Sequence, residues 1–226
     1  MRYFTFFSIL LMTVLVQAQA PRGFYVAAGV NQSSFSSNHL LADPSIGYKA
    51  GINFNFGYHE TYNYQIEVMY NHSTFDALTV DADYQPLGNT KLKYDTVDLA
   101  FFVNYYLIKP DEDKFFLGPQ AGINFSVGGG QISPADEADT SVKYYLPYLL
   151  TDNELMNIPK ITYGAGLGLT GGYNDFRFDM RYTLGLNNVL KDTQVDSYDE
   201  FGRYTGPSLD GKLNTLSFSI SYMFGL

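Results

Sequence analysis

Apolar and polar residues alternate along this chain with a period of two, and this alternation constrains the fold more than any other feature. Between Tyr48 and Tyr58 every second residue is apolar, and the residues between them are Lys, Gly and Asn. A helix would spread the apolar residues around its circumference, whereas a β-strand places them all on one face. The pattern therefore predicts a strand with one apolar and one polar face.

Seven further segments alternate in the same way, which makes eight predicted strands. These seven begin near Phe24, Tyr62, Thr96, Phe115, Ile161, Phe176 and Thr215. The apolar faces contain no charged residue, whereas the opposite faces carry charges, amides, hydroxyls and glycines. This pattern is typical of an outer-membrane barrel, whose apolar side chains face lipid. A soluble barrel with its apolar face inside is the alternative.

The lengths of the predicted connections favour the membrane barrel. Short turns at 59–61, 108–113 and 171–175 alternate with long connections at about 33–45, 75–93, 128–159 and 191–212. Outer-membrane barrels have short periplasmic turns and long extracellular loops. Because every backbone polar group in lipid must be paired, the sheet must also close. We therefore predict an all-β fold, an eight-stranded antiparallel up-and-down transmembrane β-barrel.

The N-terminus has the composition of an export signal. Arg2 supplies a positive charge, residues 4–16 are mostly apolar, and cleavage could follow Ala18 or Ala20. We predict cleavage after Ala18, because Pro21 would directly follow the other cut and its rigid ring fits a peptidase poorly. Residues 1–18 would then be a cleaved signal peptide, and residues 19–226 a single β-barrel domain of the outer membrane.

Composition narrows the possible functions. The net charge of −9 argues against a nucleic-acid partner, because phosphates require Lys and Arg. The absence of Cys excludes disulfides, thiol catalysis, a lipoprotein anchor and Cys-bound zinc. With 20 Tyr, 18 Phe and only 16% charged residues, the composition is typical of strands that meet lipid. We expect outer-membrane lipid as a partner and no cofactor.

Six charged residues fall on the predicted inward faces of the strands. They are Lys49, Glu67, Asp98, Arg177, Asp179 and Arg181. An eight-stranded barrel is just wide enough for side chains to fill it. We predict that these nearly balanced charges form a buried network of salt bridges and hydrogen bonds that plugs the lumen, with both arginines paired to acids. A polar channel is the alternative.

Three stretches resemble the PorT-like outer-membrane barrel family. They are residues 115–122, residues 177–188 and the closing strand at 216–224. The plan of the whole mature chain, from signal peptide to terminal strand, is also similar to that family. The resemblance implies a small outer-membrane barrel. Because the namesake of the family is implicated in protein secretion across the outer membrane, it also implies an accessory role in secretion or transport.

The candidate residues for lipid chemistry do not fit together in the sequence. Some small outer-membrane barrels modify lipids with a His and a Ser near the outer rim, where His72 and Ser73 are predicted to lie. These two residues point to opposite faces of a strand, and no carboxylate is placed locally to orient the imidazole. We interpret His72 as an interfacial polar residue and predict that the protein is not an enzyme.

Two of the predicted loops are acidic. Their carboxylates are Asp136, Glu137, Asp139, Asp192, Asp196, Asp199 and Glu200. Carboxylates can gather calcium, but the spacing is not that of a known calcium loop, and we favour solvated loops. The leading hypothesis is a non-enzymatic barrel that is structural or presents its loops to another envelope protein. A lipid-modifying enzyme and a small-solute pore are the alternatives.

Overall fold

The computed structural model describes residues 23–37, 40–57, 61–81, 83–108, 115–128, 132–135, 144–147, 150, 158–191, 193 and 209–224. The predicted signal peptide and both of its cleavage points lie outside these residues. So do the seven acidic loop residues considered as calcium ligands. The signal peptide, the mature domain boundary and the calcium alternative therefore stay predictions.

Eight long strands form a closed antiparallel ring. They are β1 Gly23–Ser36, β2 Ala42–Phe56, β3 Tyr62–Val80, β4 Pro86–Tyr105, β5 Phe115–Gly128, β8 Ile161–Tyr173, β9 Phe176–Gly185 and β10 Lys212–Phe224. Each pairs with the long strands before and after it, and β10 pairs with β1. Two short strands, β6 Ser133–Pro134 and β7 Tyr144–Tyr145, follow β5 and precede β8 in the sequence. The predicted eight-stranded up-and-down barrel is confirmed.

The two faces of each strand meet different surroundings. On β9, Phe178 and Met180 are 41% and 51% exposed on the exterior, whereas Arg177 and Asp179 are 0% and 1% exposed. An arginine at the bilayer midplane would cost about 2–4 kcal/mol, so the opposite orientation of this strand is strongly disfavoured. The exterior of the wall is therefore apolar, and the interior is polar.

Aromatic residues mark the end of the barrel that carries the β2–β3, β4–β5 and β8–β9 connections, called the inner end below. Phe24 lies opposite both Phe54 and Phe224, and the rings of Phe176 and Tyr222 are 5.1 Å apart. Aromatic rings favour the boundary between lipid tails and headgroups. These residues therefore place the inner end at one surface of the membrane, and the opposite end is called the outer end.

Two of the four predicted long loops are wrong. The β1–β2 connection is only residues 37–41, and the β3–β4 connection only residues 81–85, because these strands continue beyond the apolar band. In the extension the alternation changes phase. Phe75 and Leu92 are fully buried on the inner face, while Lys91 is exposed on the other. The strand prediction required an apolar exterior. Segments with an apolar interior were therefore predicted as loops.

An apolar core lies at the outer end, above the polar lumen. All four outer connections or the strand ends beside them contribute to this cap core, which consists of Leu40, Phe75, Ala77, Leu92, Tyr94, Ile132, Tyr145, Leu150, Ile158, Val189, Leu190 and Leu209. Burial of one such large side chain contributes about 1.5–3 kcal/mol. The described parts of the outer connections therefore pack into a folded cap and are not separate solvated loops.

Candidate functional site

Arg177 lies fully buried near the inner end of the lumen. Its Nε donates to both carboxylate oxygens of Asp179, at 3.1 Å each. One terminal nitrogen donates to Asn55 Oδ1 at 2.8 Å, and the other donates to Gln65 Oε1. Residues on three strands thus accept hydrogen bonds from one guanidinium. A buried charge is strongly destabilising unless it is paired in this way.

Arg181 lies on the same inward face of β9 as Arg177, two inward positions nearer the outer end. It forms an ion pair with Glu67 through Nη1, and its Nη2 lies 3.4 Å from Asp179 Oδ2. Its Nε donates to Gln120 Oε1 at 2.9 Å. The guanidinium carbon also lies 4.0 Å from the centre of the Phe102 ring, close enough for a cation–π attraction.

The contacts of the two arginines are joined into one network across the lumen. Gln65 Nε2 donates to Glu67 Oε1 at 2.6 Å, which links the partner of Arg177 to the partner of Arg181. The resulting lumen network consists of Arg177, Asp179, Arg181, Glu67, Gln65, Gln120 and Asn55. Its two positive and two negative charges balance. The network spans the lumen from β9 to β2, β3 and β5.

Lys49 and Asp98 lie beside the lumen network and are not bonded to it. Both line a cavity of about 60 Å³ on the outer side of the network, called the outer chamber here, which Tyr94 borders as well. Asp98 accepts a hydrogen bond from Thr96 at 2.8 Å. Among the described residues, no carboxylate lies within ion-pair distance of the Lys49 ammonium. The structure thus brings four of the six predicted charged residues into contact and leaves two apart.

The sequence prediction missed the amides of the network. Gln65, Asn55 and Gln120 each lie buried at an inward position. Their inward parity is readable from the alternation, because each neighbours an outward apolar residue. An uncharged amide, however, gives no sign in the sequence that an arginine needs it. Only the contacts identify these residues as ligands of Arg177 and Arg181.

No carboxylate is placed next to His72 in the sequence, but the fold brings one to it. Asp95 on β4 lies directly opposite His72 on β3, and its Oδ1 lies 2.6 Å from the imidazole Nδ1. The two residues are separated by a long hairpin, so the prediction from local sequence could not pair them. Ser73, as predicted, points the other way: it is buried, with its hydroxyl 3.0 Å from that of Ser33.

Two structural features are absent from the described ranges. No group of three or more His, Asp or Glu side chains there is arranged to hold a metal ion. No helix in that part of the chain is long and apolar enough to cross a membrane.

Comparison with known families gives a match over most of the chain. The family model described as "Outer membrane protein beta-barrel domain" matches residues 17–191. No curated protein matches the chain. The matched range includes the first seven long strands up to β9 and both arginines of the lumen network.

Solved structures of small barrels are similar at low identity. Neisserial surface protein A has 14% identity and a TM-score of 0.48, and the match covers 89% of this chain and 97% of that one. OprG of Pseudomonas aeruginosa has 10% identity and a TM-score of 0.46, with coverages of 92% and 100%. Outer membrane protein W of E. coli has 12% identity and a TM-score of 0.43, with the same two coverages.

Proposed function

This chain belongs to the outer membrane protein β-barrel domain family, and we propose that it is a closed, non-enzymatic barrel whose cap is recognised by another envelope protein. The protein lies in the bacterial outer membrane, so its exterior band contacts lipid. The proposal concerns what the barrel does there. Its lumen serves to stabilise the wall, and its cap provides the surface for a partner.

The observation that supports this proposal is that side chains occupy the lumen and its outer mouth at two levels. The network around Arg177 and Arg181 crosses the barrel in its inner half, and the cap core lies over the outer mouth. A small-solute pore needs a continuous polar path, and two successive obstructions disfavour one. A cap with its own apolar core also holds a defined surface, which suits recognition better than a set of independent loops.

We take the partner to be a protein of the cell envelope. The resemblance of residues 115–122, 177–188 and 216–224 to the PorT-like family supports an accessory role in secretion or transport. The β3–β4 hairpin supports it as well, since it extends beyond the apolar band and exposes Leu87 near its tip. An exposed leucine above the membrane is a suitable contact for a partner protein.

Site-specific photocrosslinking in intact cells tests the proposal. A photoreactive residue at position 87 should give a discrete protein adduct, because Leu87 lies on the cap and is 49% exposed. The matched control is Leu99, which is 51% exposed on the lipid-facing wall of the same strand. A probe there should react with lipid only.

Two further measurements separate the alternatives. The purified protein in planar bilayers should give no conductance steps, and regular steps would favour a pore. Lipid A from cells with and without the gene should have the same mass, and a change of acyl composition would favour an enzyme. Identical crosslinking at positions 87 and 99 would contradict the proposed partner surface.

A further inference from the structure

Three adjacent strands bring polar and aromatic residues together on the exterior of the barrel. Tyr48 on β2 lies opposite His72 on β3, which lies opposite Asp95 on β4. The Tyr48 ring stacks on the imidazole with 4.7 Å between ring centroids and an interplanar angle of 26°. With Tyr70, these residues form what we call the rim cluster.

Asp95 holds the rim cluster together. Its Oδ1 accepts a hydrogen bond from the Tyr70 hydroxyl at 2.7 Å and lies 2.6 Å from His72 Nδ1. Its side chain is nevertheless 42% exposed, and that of His72 is 20% exposed. Among the described residues, nothing bonds to the second oxygen of Asp95 or to His72 Nε2. One acceptor and one ring nitrogen are therefore fixed in place and available.

The rim cluster lies where the apolar band of the wall ends. On the inner side of it, the outward residues of the three strands are apolar, as Ala50, Val68 and Val97 are. On the outer side, the exterior of β4 continues with Lys93 and Lys91. Aromatic residues with polar tips favour this depth, at the level of the lipid headgroups. The outer leaflet of an outer membrane presents glycolipids at that level.

We propose that the rim cluster binds the saccharide headgroup of an outer-leaflet glycolipid. A sugar hydroxyl can donate to Asp95 Oδ2, and another can bond to His72 Nε2. The C–H face of a sugar ring can pack on an exposed tyrosine, whose body is apolar. A bare phosphate fits less well, since the Asp95 carboxylate would repel it. The residues act in binding and not in acyl transfer, because the hydroxyl of Ser73 faces the interior.

The test uses the full chain in nanodiscs of phosphatidylglycerol with and without added lipid A. Native mass spectrometry counts the lipid A molecules retained by the wild type, by Asp95→Asn and by His72→Phe. Each substitution removes one hydrogen-bonding group of the rim cluster, so retention should fall about tenfold in each variant, which corresponds to about 1.4 kcal/mol of binding free energy. Heat-modifiable migration on gels shows whether each variant still forms a closed barrel.

The control is Tyr182→Leu, which removes another exposed tyrosine from the exterior, on β9. Unchanged retention in this variant, with loss in both rim variants, supports the proposal. Equal retention in all variants overturns it, and so does equal loss in all of them, which would indicate a nonspecific lipid annulus. Displacement of lipid A by an equal concentration of its soluble disaccharide would overturn the assignment to a membrane-anchored headgroup. NMR provides a further measurement: the resonances of the His72 imidazole nitrogens should shift on addition of lipid A.

Discussion

Arg181 on β9 crosses the lumen to pair with Glu67 on β3, the strand directly opposite in the ring. The strands β4, β5 and β8 lie between them on one side, and β2, β1 and β10 on the other. A contact across the full width of the barrel ties together parts of the wall that share no backbone hydrogen bond. We therefore expect the lumen network to stabilise the closed ring and not one hairpin.

Replacement of Arg181 by Ala should strongly destabilise the barrel. It would leave Glu67 buried without its cation, and removal of one partner of a buried ion pair typically costs about 3–5 kcal/mol. Denaturant unfolding in lipid vesicles, under conditions where refolding is reversible, measures this as a lower midpoint.

Met180→Ala is the matched control, because Met180 is the neighbouring residue and is 51% exposed on the lipid side. It should cost much less than Arg181→Ala. A midpoint for Arg181→Ala equal to that of the wild type would show that the network is not structural. A water-filled pore lined by Arg181 would then be the better interpretation of the lumen.

Replacement of Phe75 by Ala should open the cap without opening the barrel. Phe75 is fully buried in the cap core, and its ring centroid lies 4.7 Å from that of Phe35. Loss of a buried Phe typically costs about 3–5 kcal/mol, and this cost falls on contacts above the membrane. Hydrogen exchange should quicken in residues 86–94 and stay slow in residues 97–105, whereas uniform quickening would show that cap and barrel unfold as one unit.

Cysteine labelling on intact cells should establish the orientation. The chain has no Cys, so Asp83→Cys in the β3–β4 connection and Asp175→Cys in the β8–β9 turn are unique sites. A membrane-impermeant maleimide should label position 83 and not position 175. Tags near Asp136 or Asp199 should likewise be accessible, and tags near Glu60 or Asp111 should not. The reverse pattern would place the cap in the periplasm.

Gly166→Val should destabilise the barrel because the new side chain would crowd the Phe102 ring, which packs against the Arg181 guanidinium. A Cβ at Gly166 would lie 2.8 Å from Cε1 of Phe102, and that ring is held against the guanidinium. Overpacking of this kind typically costs about 1–3 kcal/mol. Gly171→Ala is the comparison on the lipid side, because its added Cβ would lie 3.1 Å from the lipid-facing Leu117 side chain, which can move, and 3.3 Å from the carbonyl oxygen of Phe116. Equal unfolding midpoints for the two variants would indicate that the Phe102 ring shifts to make room for the added side chain.

The period-two alternation was sufficient to predict the eight strands and the inward direction of Arg177 and Arg181. These properties depend on which face of a strand a residue occupies, and parity along the chain determines that. The alternation was insufficient above the membrane. There the same strands continue with apolar residues such as Phe75 and Leu92 turned inward, because the surroundings change from lipid to water.

Only the tertiary structure decided which residues meet. Glu67 lies 114 residues from Arg181, and Asp95 lies 23 residues from His72. The first contact depends on the order of strands around the ring, which places β3 opposite β9. The second depends on the register of β3 against β4, which the position of the hairpin turn sets. By itself the sequence determined the direction of each side chain, because direction follows local parity, whereas distances between strands follow from ring closure and register.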